Sequence, residues 1–241
     1  MAPAAALGLA LVAVAAPAPA AERVTLDGAA GPATVRLADG RAVRLTGVRV
    51  PAWDPWPARA RAFLAERTGT VAAYHAVARS PDRYGRRRGR VRPVDGGPGL
   101  AAALVTRGLV LVTAAPDTAR VRALLRRERR ARRAGRGLWA DDRVATPATV
   151  APGGFRLVRG RVRRVKRLAG RTWLDFGPNW WEAFGVILEA PVRRALAGRG
   201  IAPGSLTGRR VRVRGWVTRR NGPALVLPAA GLLERVEETA P

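Results

Sequence analysis

Apolar and polar residues alternate along several short stretches of the chain, which is the pattern of strands with one buried face. Two such stretches lie within residues 33–48, on either side of Asp39-Gly40. Because glycine adopts positive φ without strain, this pair suits a tight hairpin, and Asp39 is better explained as a turn residue than as a ligand. Residues 57–68 begin with a proline and have helical spacing, and residues 70–78 alternate again as a strand.

The rest of the first half predicts one further strand and two helices. Residues 80–97 form a charged loop that runs into the strand, and a short helix then follows and stops at Gly108. The segment from Asp117 to Arg136 predicts a strongly basic helix whose start Asp117 or Thr118 can cap.

A second series of predicted elements begins after residues 141–154. These residues are small, polar and rich in Pro and Gly, as is typical of a linker. Residues 155–238 predict three strands, of which the first is one continuous basic strand over residues 155–168, and then a short helix and a hairpin that turns at Asn221-Gly222. This is the element order of an OB-fold, a small barrel whose open face often binds single strands or sugars. Since residues 22–140 show the same order followed by extra helices, the sequence predicts a mainly β fold with helices (α+β), built of two consecutive OB-type barrels.

The N-terminus carries a short apolar run, Ala4 to Ala16, followed by Ala18-Pro19-Ala20. The run is too short to cross a bilayer, and the small residues around Pro19 match a cleavage pattern, so residues 1–21 predict a signal peptide and a secreted or periplasmic protein. The n-region has no Lys or Arg, which leaves an uncleaved anchor or a wrongly chosen start codon as alternatives. No later segment is long enough to span a membrane without charge.

The composition is strongly basic, with 44 Lys+Arg against 17 Asp+Glu and a net charge of +27. Lys166 is the only lysine, and such a charge attracts polyanions, nucleic acid among them. Adaptation to an acidic or anion-rich setting is the alternative explanation. The chain has no cysteine and one histidine, His75, which excludes thiol nucleophiles and Cys/His zinc sites. His75 lies in an alternating stretch and is better explained as a strand-face residue than as part of a triad.

Three stretches in the first half share one order and spacing with a known family. They are VRLTGVRVP at residues 43–51, PDRYGRRRGRV at 81–91 and LLRRERRARRAGRGLWA at 124–140. With these motifs, the part from about Val24 to Ala140 resembles the thermonuclease family, the calcium-dependent staphylococcal-nuclease-like phosphodiesterases. The resemblance implies an OB-type barrel with a phosphodiester-binding site.

The resemblance also implies which residues carry the chemistry. Arg44 and Arg86 match the two arginines that bind the scissile phosphate, and a guanidinium fork fits two phosphate oxygens. The positions of the family's metal-binding and general-base acids hold Ala33, Arg49 and Ala52 in this chain. Catalysis is therefore expected to be lost or much reduced, and no cofactor is expected. An active nuclease with relocated acids, from Asp54 or Asp27, would need Ca²⁺ and remains the alternative.

Nucleic acid or another polyanion is the expected partner, and a non-enzymatic envelope protein is the third hypothesis. Aromatic rings beside a basic groove are typical of single-strand binding, although tryptophans in a small barrel are more often core or ligand-free surface. Whether the chain is an enzyme, and in which oligomeric state it exists, does not follow from the sequence. The candidate nucleic-acid-binding residues are Arg126, Arg130, Arg133, Arg163, Lys166 and Trp180.

Overall fold

A computed structural model describes residues 21–141, 144–179 and 181–236. Residues 1–20, with nearly all of the predicted signal peptide, and Trp180, a predicted binding residue, lie outside the described part. Within the described residues, no helix combines the length and the apolar composition needed to cross a bilayer. The fold is α+β and is dominated by two sheets.

The first half forms a closed barrel followed by helices. Its elements are β1 (Glu22–Gly31), β2 (Thr34–Leu37), β3 (Ala42–Leu45), β4 (Val48–Arg49), α1 (Trp56–Ala65), β5 (Val71–Ala76), β6 (Arg87–Pro93), α2 (Leu100–Thr106), β7 (Leu111–Val112) and α3 (Thr118–Arg133). The barrel order is β1-β2-β3-β6-β5, in which only β3 and β6 run parallel. The short strands β4 and β7 pair with each other beside the barrel. Together with the helix between its third and fourth strands, this is the connectivity of an OB-fold.

Local sequence signals account for much of this arrangement. Gly40 has a φ of +85° in the turn between β2 and β3, and the Asp39 carboxylate accepts a hydrogen bond from the backbone N–H of Arg41 at 3.0 Å. The hairpin and the role of Asp39 are thus confirmed. At the start of α3, the Asp117 carboxylate accepts from the backbone N–H of Arg120 at 2.9 Å, so Asp117 rather than Thr118 is the N-cap.

The second half repeats the barrel connectivity. Its elements are β8 (Gly154–Arg161), β9 (Arg164–Leu168), β10 (Arg171–Asp175), β11 (Gly185–Leu188), α4 (Ala190–Ala197), β12 (Arg210–Arg219), β13 (Pro223–Val226) and β14 (Leu233–Arg235). The pairing runs β9-β10-β11-β13-β12-β8, and β11 and β13 are parallel, as β3 and β6 are in the first barrel. The first and last strands of this order, β9 and β8, are consecutive in the chain and are separated by only two residues.

The prediction of one continuous basic strand over residues 155–168 is wrong. The chain breaks at Val162, which is fully buried, and Arg163, whose backbone N–H donates to the carbonyl of Asp175 at 2.8 Å. The physical reason is that β8 pairs with β12 whereas β9 pairs with β10, so the chain has to bend between the two strands. The arginines on either side of the bend therefore lie on two strands.

The outward face of β12 packs against the first half. Side chains alternate along a strand, and the outward positions are Arg212, Arg214 and Trp216. Arg214 is fully buried and its guanidinium Nη1 lies 2.6 Å from the Glu128 carboxylate of α3. Arg212 is also buried, whereas Trp216, at the end of this row, is 53% exposed. The two barrels thus share a polar interface with a buried ion pair at its centre.

A second carboxylate completes this ionic network. Glu234 of β14 lies 2.7 Å from Nη2 of Arg214 and 3.3 Å from Arg132 of α3. Burial by itself would raise the pKa of Glu234, but the nearby Arg214, Arg132 and Arg212 outweigh it, so the pKa is lower than usual. Glu128 also accepts from the backbone N–H of Val112 at 2.7 Å, which ties the network to β7.

The predicted linker is in part fastened to the second barrel. Ala145 forms a parallel bridge with Val158, and its backbone N–H donates to the carbonyl of Leu157 at 3.1 Å. Val150 is buried. The linker is therefore fixed to β8 at Ala145, and the carbonyl of Ala145 also accepts from the backbone N–H of Arg159 at 2.9 Å.

Candidate functional site

Arg44 lies on β3, close to the point where this strand leaves the barrel. Its neighbours across the sheet are Thr34 on β2 and Arg88 on β6. The side chain is half-buried, and its Nη2 is 3.5 Å from the carbonyl of Val48. The intervening turn uses Gly47 at a φ of +79°, a backbone conformation that other residues rarely adopt. Arg44 is thus held on a rigid strand, as its motif predicts.

Arg86 is held by its own loop. The Asp82 carboxylate accepts from Nε of Arg86 at 2.9 Å and from its Nη2 at 2.7 Å, and it also accepts from the backbone N–H groups of Tyr84 and Arg86. The hydrogen bonds from Arg86 are the main cause of the low pKa of Asp82, about 2. The loop therefore presents Arg86 as part of an ion pair, a partner that the motif by itself did not reveal.

Arg49 contacts the second barrel. Its guanidinium carbon lies 4.5 Å from the centroid of the Trp216 ring and 5.8 Å from that of Phe155, both within cation–π range. Trp216 and Phe155 are directly opposite each other on β12 and β8. Arg49 belongs to β4, the short strand that follows β3, so the second barrel packs on the segment that contains positions 49 and 52.

The guanidinium groups of Arg44, Arg49 and Arg86 are close enough for their positive charges to repel one another. Burial, then Arg49 and then Arg86 lower the pKa of Arg44 to about 10, and burial followed by Arg86 lowers that of Arg49. Asp82 is the one carboxylate that raises the pKa of Arg44. The set of Arg44, Arg49 and Arg86 is called the arginine cluster below. Its charge exceeds that of Asp82 by two, so an anion bound here would relieve repulsion.

The acid positions do not provide metal ligands. Ala33 is buried with 1% exposure, Ala52 is exposed, and residue 49 is a cation. Asp54 is exposed in the turn before α1, and Asp27 is exposed on β1. Calcium takes about six to eight oxygen ligands, and the described residues contain no group of three or more His, Cys, Asp or Glu side chains that could hold a metal. The residues present at the arginine cluster therefore do not fit calcium.

The other predicted binding residues lie elsewhere. Arg126, Arg130 and Arg133 are exposed on the side of α3 that faces away from Glu128, and Arg163 is exposed at the bend between β8 and β9. Lys166 is half-buried on β9, directly opposite Trp173 of β10. The structure thus brings together Arg44, Arg86 and Arg49 and keeps the helix arginines on a separate, solvent-facing surface.

Sequence reasoning missed two functional contacts at the cluster. In the sequence, Asp82 belongs to the motif at residues 81–91, and Trp216 is one of seven tryptophans. Asp82 is separated from Arg86 by four positions, so a loop ion pair could have been inferred from spacing. No sequence signal connects Trp216 with Arg49, because the contact depends on how the two barrels pack.

The first barrel and its arginine cluster define an OB-fold protein that carries a cluster of basic side chains beside the end of β3. The part of the chain from residue 35 to 141 matches the family model described as staphylococcal nuclease homologue. This part is therefore a staphylococcal-nuclease-like domain, and it covers less than half of the chain. The resemblance of the three motifs is confirmed. No curated protein matches the chain.

Proposed function

We propose that this protein binds nucleic acid, or another phosphate-bearing polyanion, at the arginine cluster without hydrolysing it. The observation that carries the proposal is the convergence of Arg44, Arg49 and Arg86 on the nuclease-like barrel, in a place where the matching acid positions hold Ala33, Arg49 and Ala52. Guanidinium groups bind phosphate oxygens through paired, charge-assisted hydrogen bonds.

Arg49 explains how the protein could bind a phosphate without a metal ion. In the family that the motifs resemble, a metal ion supplies positive charge beside the two phosphate-binding arginines. Here a guanidinium stands at one of the acid positions, so the protein carries a fixed positive charge of its own at this place. Binding of a phosphate therefore needs no metal, whereas hydrolysis lacks both the metal ligands and a positioned base, whose loss typically costs about 10²–10⁴ in rate.

The decisive experiment compares binding and cleavage with and without calcium. The purified protein is incubated with labelled single-stranded DNA and RNA, with either calcium or a chelator present. We expect equal binding in both conditions and no calcium-dependent cleavage, because the residues at the cluster do not fit calcium.

Arg44→Ala is the control for a contaminating nuclease. If calcium-dependent cleavage occurs and disappears in Arg44→Ala, the site is active with relocated acids and loss of catalysis is wrong. If the cleavage persists in this variant, it belongs to a contaminant. If calcium strengthens binding and Asp54→Ala removes that effect, Asp54 is the relocated ligand.

Binding should also depend steeply on salt. Each phosphate that the protein neutralises releases counterions, with a log–log slope of about −0.7 per contact for single strands. Three arginines at one site predict a slope of about −2 or steeper, and Arg44→Ala should make it shallower by about 0.7. Titrations of one oligonucleotide at several salt concentrations measure this. A slope near zero would exclude a charge-driven mode of binding.

As part of the same proposal, we infer that the protein acts outside the cytoplasm, in the secreted or periplasmic fraction. The apolar run Ala4 to Ala16, followed by Ala18-Pro19-Ala20, supports this inference. Mass spectrometry of the protein from its native host tests it: a mature chain beginning near residue 21 supports export, and an intact Met1 on most molecules contradicts it.

A further inference from the structure

Trp216 is an exposed ring at the edge of the interface between the barrels. Arg212, Arg214 and Trp216 share the outward face of β12, and the first two are buried against the first half. The same face then continues to Trp216, whose side chain is 53% exposed although its backbone belongs to the longest strand of the second barrel. Along this face, the two arginines are therefore buried, whereas the Trp216 ring at the end is accessible to a ligand.

The ring is adjacent to the arginine cluster. Arg49 covers it at 4.5 Å from the centroid, and Arg49 in turn acts electrostatically on Arg44. On the other side of the cluster, the exposed ring of Tyr84 lies 4.9 Å from the guanidinium carbon of Arg86. Among the described residues, five large apolar side chains are exposed, and two of them are these aromatic rings. Each is in contact with an arginine of the cluster.

We propose that Trp216 stacks on an unpaired base of a nucleic acid whose phosphate is bound by the arginine cluster, so that the second barrel completes the site and selects single strands. This inference rests on the proposed function. Bases of a duplex are paired and stacked on one another, whereas an unpaired base can lie on an aromatic side chain whatever its identity. The contacts between the arginines and the phosphate supply the electrostatic part of the affinity. The ring contributed by the second barrel supplies the preference for single strands.

The alternative role for Trp216 is only to position Arg49. The two roles differ in what the ring contacts. A positioning ring acts through Arg49 on every phosphate ligand alike, whereas a stacking ring acts only on ligands that carry an unpaired base. The exposure of Trp216 favours stacking, because the residue remains 53% accessible to a ligand although the Arg49 guanidinium lies over its ring.

The test measures affinity for three ligands in parallel at one salt concentration. The ligands are a short single-stranded oligothymidylate, a duplex of the same length and inorganic phosphate as a competitor. The variants are Trp216→Ala, Trp216→Phe and Arg44→Ala. Trp181→Ala is the matched control, since Trp181 is 48% exposed on the same half of the chain. Thermal melting of each variant verifies that it is folded.

We expect Trp216→Ala to lose about 5- to 100-fold in single-strand affinity, the range of one base stack. Its affinity for duplex and for phosphate should stay within about twofold, and Trp216→Phe should keep most of the single-strand affinity because it retains a ring. Trp181→Ala should bind like the parent. Arg44→Ala should weaken all three ligands.

Two results would overturn the inference alone, and a third would overturn the proposed function together with it. If Trp216→Ala binds single strands like the parent while Arg44→Ala does not, stacking fails and the proposed function stands. If Trp216→Ala weakens all three ligands equally, the ring only positions Arg49. If neither variant changes any affinity, the proposed function itself is wrong. Should Trp216→Ala not fold, Trp216→Leu takes its place, since leucine fills the volume but has no aromatic face.

Discussion

Replacing Glu128 by alanine is expected to lower the free energy of unfolding by about 3–5 kcal/mol, the range for removing one partner of a buried ion pair. Both Glu128 and Arg214 are fully buried, and Nη1 of Arg214 lies 2.6 and 2.8 Å from the two carboxylate oxygens. The change would also leave the backbone N–H of Val112 without its acceptor. Denaturant unfolding of parent and variant measures the difference.

The control lies on the same helix. Arg133→Ala removes an exposed arginine of α3 and should change the free energy of unfolding by less than about 0.5 kcal/mol. Glu128→Leu combined with Arg214→Met replaces the pair by apolar groups and should recover much of the loss, because no buried charge then lacks its partner. The remaining carboxylate, Glu234, still faces Arg132 and Arg212 in that double variant.

The outcome decides how the two barrels are joined. If Glu128→Ala costs less than about 1 kcal/mol, which is the range of a surface pair, the network is open to water and the barrels are held by apolar contacts alone. If the parent unfolds in one transition and the variant in two, the ion pair is what couples the barrels. A coupled pair of barrels is also what keeps Trp216 beside Arg49 in the proposed site.

Arg49→Asp is expected to weaken binding of single-stranded oligonucleotides by about 10²-fold, which corresponds to one or two lost charge-assisted hydrogen bonds. The change replaces a cation by an anion within the electrostatic range of Arg44 and Arg86. A carboxylate there would pair with those arginines and compete with the phosphate. Fluorescence anisotropy with a labelled oligonucleotide measures the effect.

Arg49→Gln separates loss of charge from its reversal. Glutamine keeps a polar side chain of moderate length and should weaken binding by about tenfold, less than aspartate, because it removes only one charge-assisted contact. If Arg49→Asp binds like the parent, Arg49 lies outside the site and the cluster is reduced to Arg44 and Arg86. If Arg49→Asp, alone or with Ala52→Glu, gains calcium-dependent binding or cleavage, acids at these two positions are enough to form a metal site in this barrel.

The structure limits how far the acid pattern of the family that the motifs resemble can be introduced into this chain. Ala52 is exposed and Arg49 is half-buried, whereas Ala33 is 1% exposed within the barrel. A carboxylate at position 33 would be buried, which costs several kcal/mol without a partner. In the motifs, positions 33, 49 and 52 all match acids of the family. Only the fold shows that they differ in exposure.

Much of the architecture followed from short-range signals in the sequence. The Asp39-Gly40 turn, the Asp117 cap and the helical period of α3 each depend on residues within a few positions of one another, so the local chain specifies them. The order of strands and helix that indicates an OB-fold is equally visible along the chain, and the position of Arg44 at the end of a strand follows from its motif.

Only the tertiary structure shows which of these elements contact each other. Glu128, the one acid in a run of arginines, is the centre of the interface because its partner is 86 positions away on β12. The bend at Val162 arises from pairing with two different strands, and Arg49 meets Trp216 only because the barrels pack together. Periodicity and composition describe one segment at a time, whereas a buried ion pair or a shared site depends on the distance between segments. The sequence therefore determined the barrels and two of their arginines, and packing decided the third arginine's partner and the shape of the site.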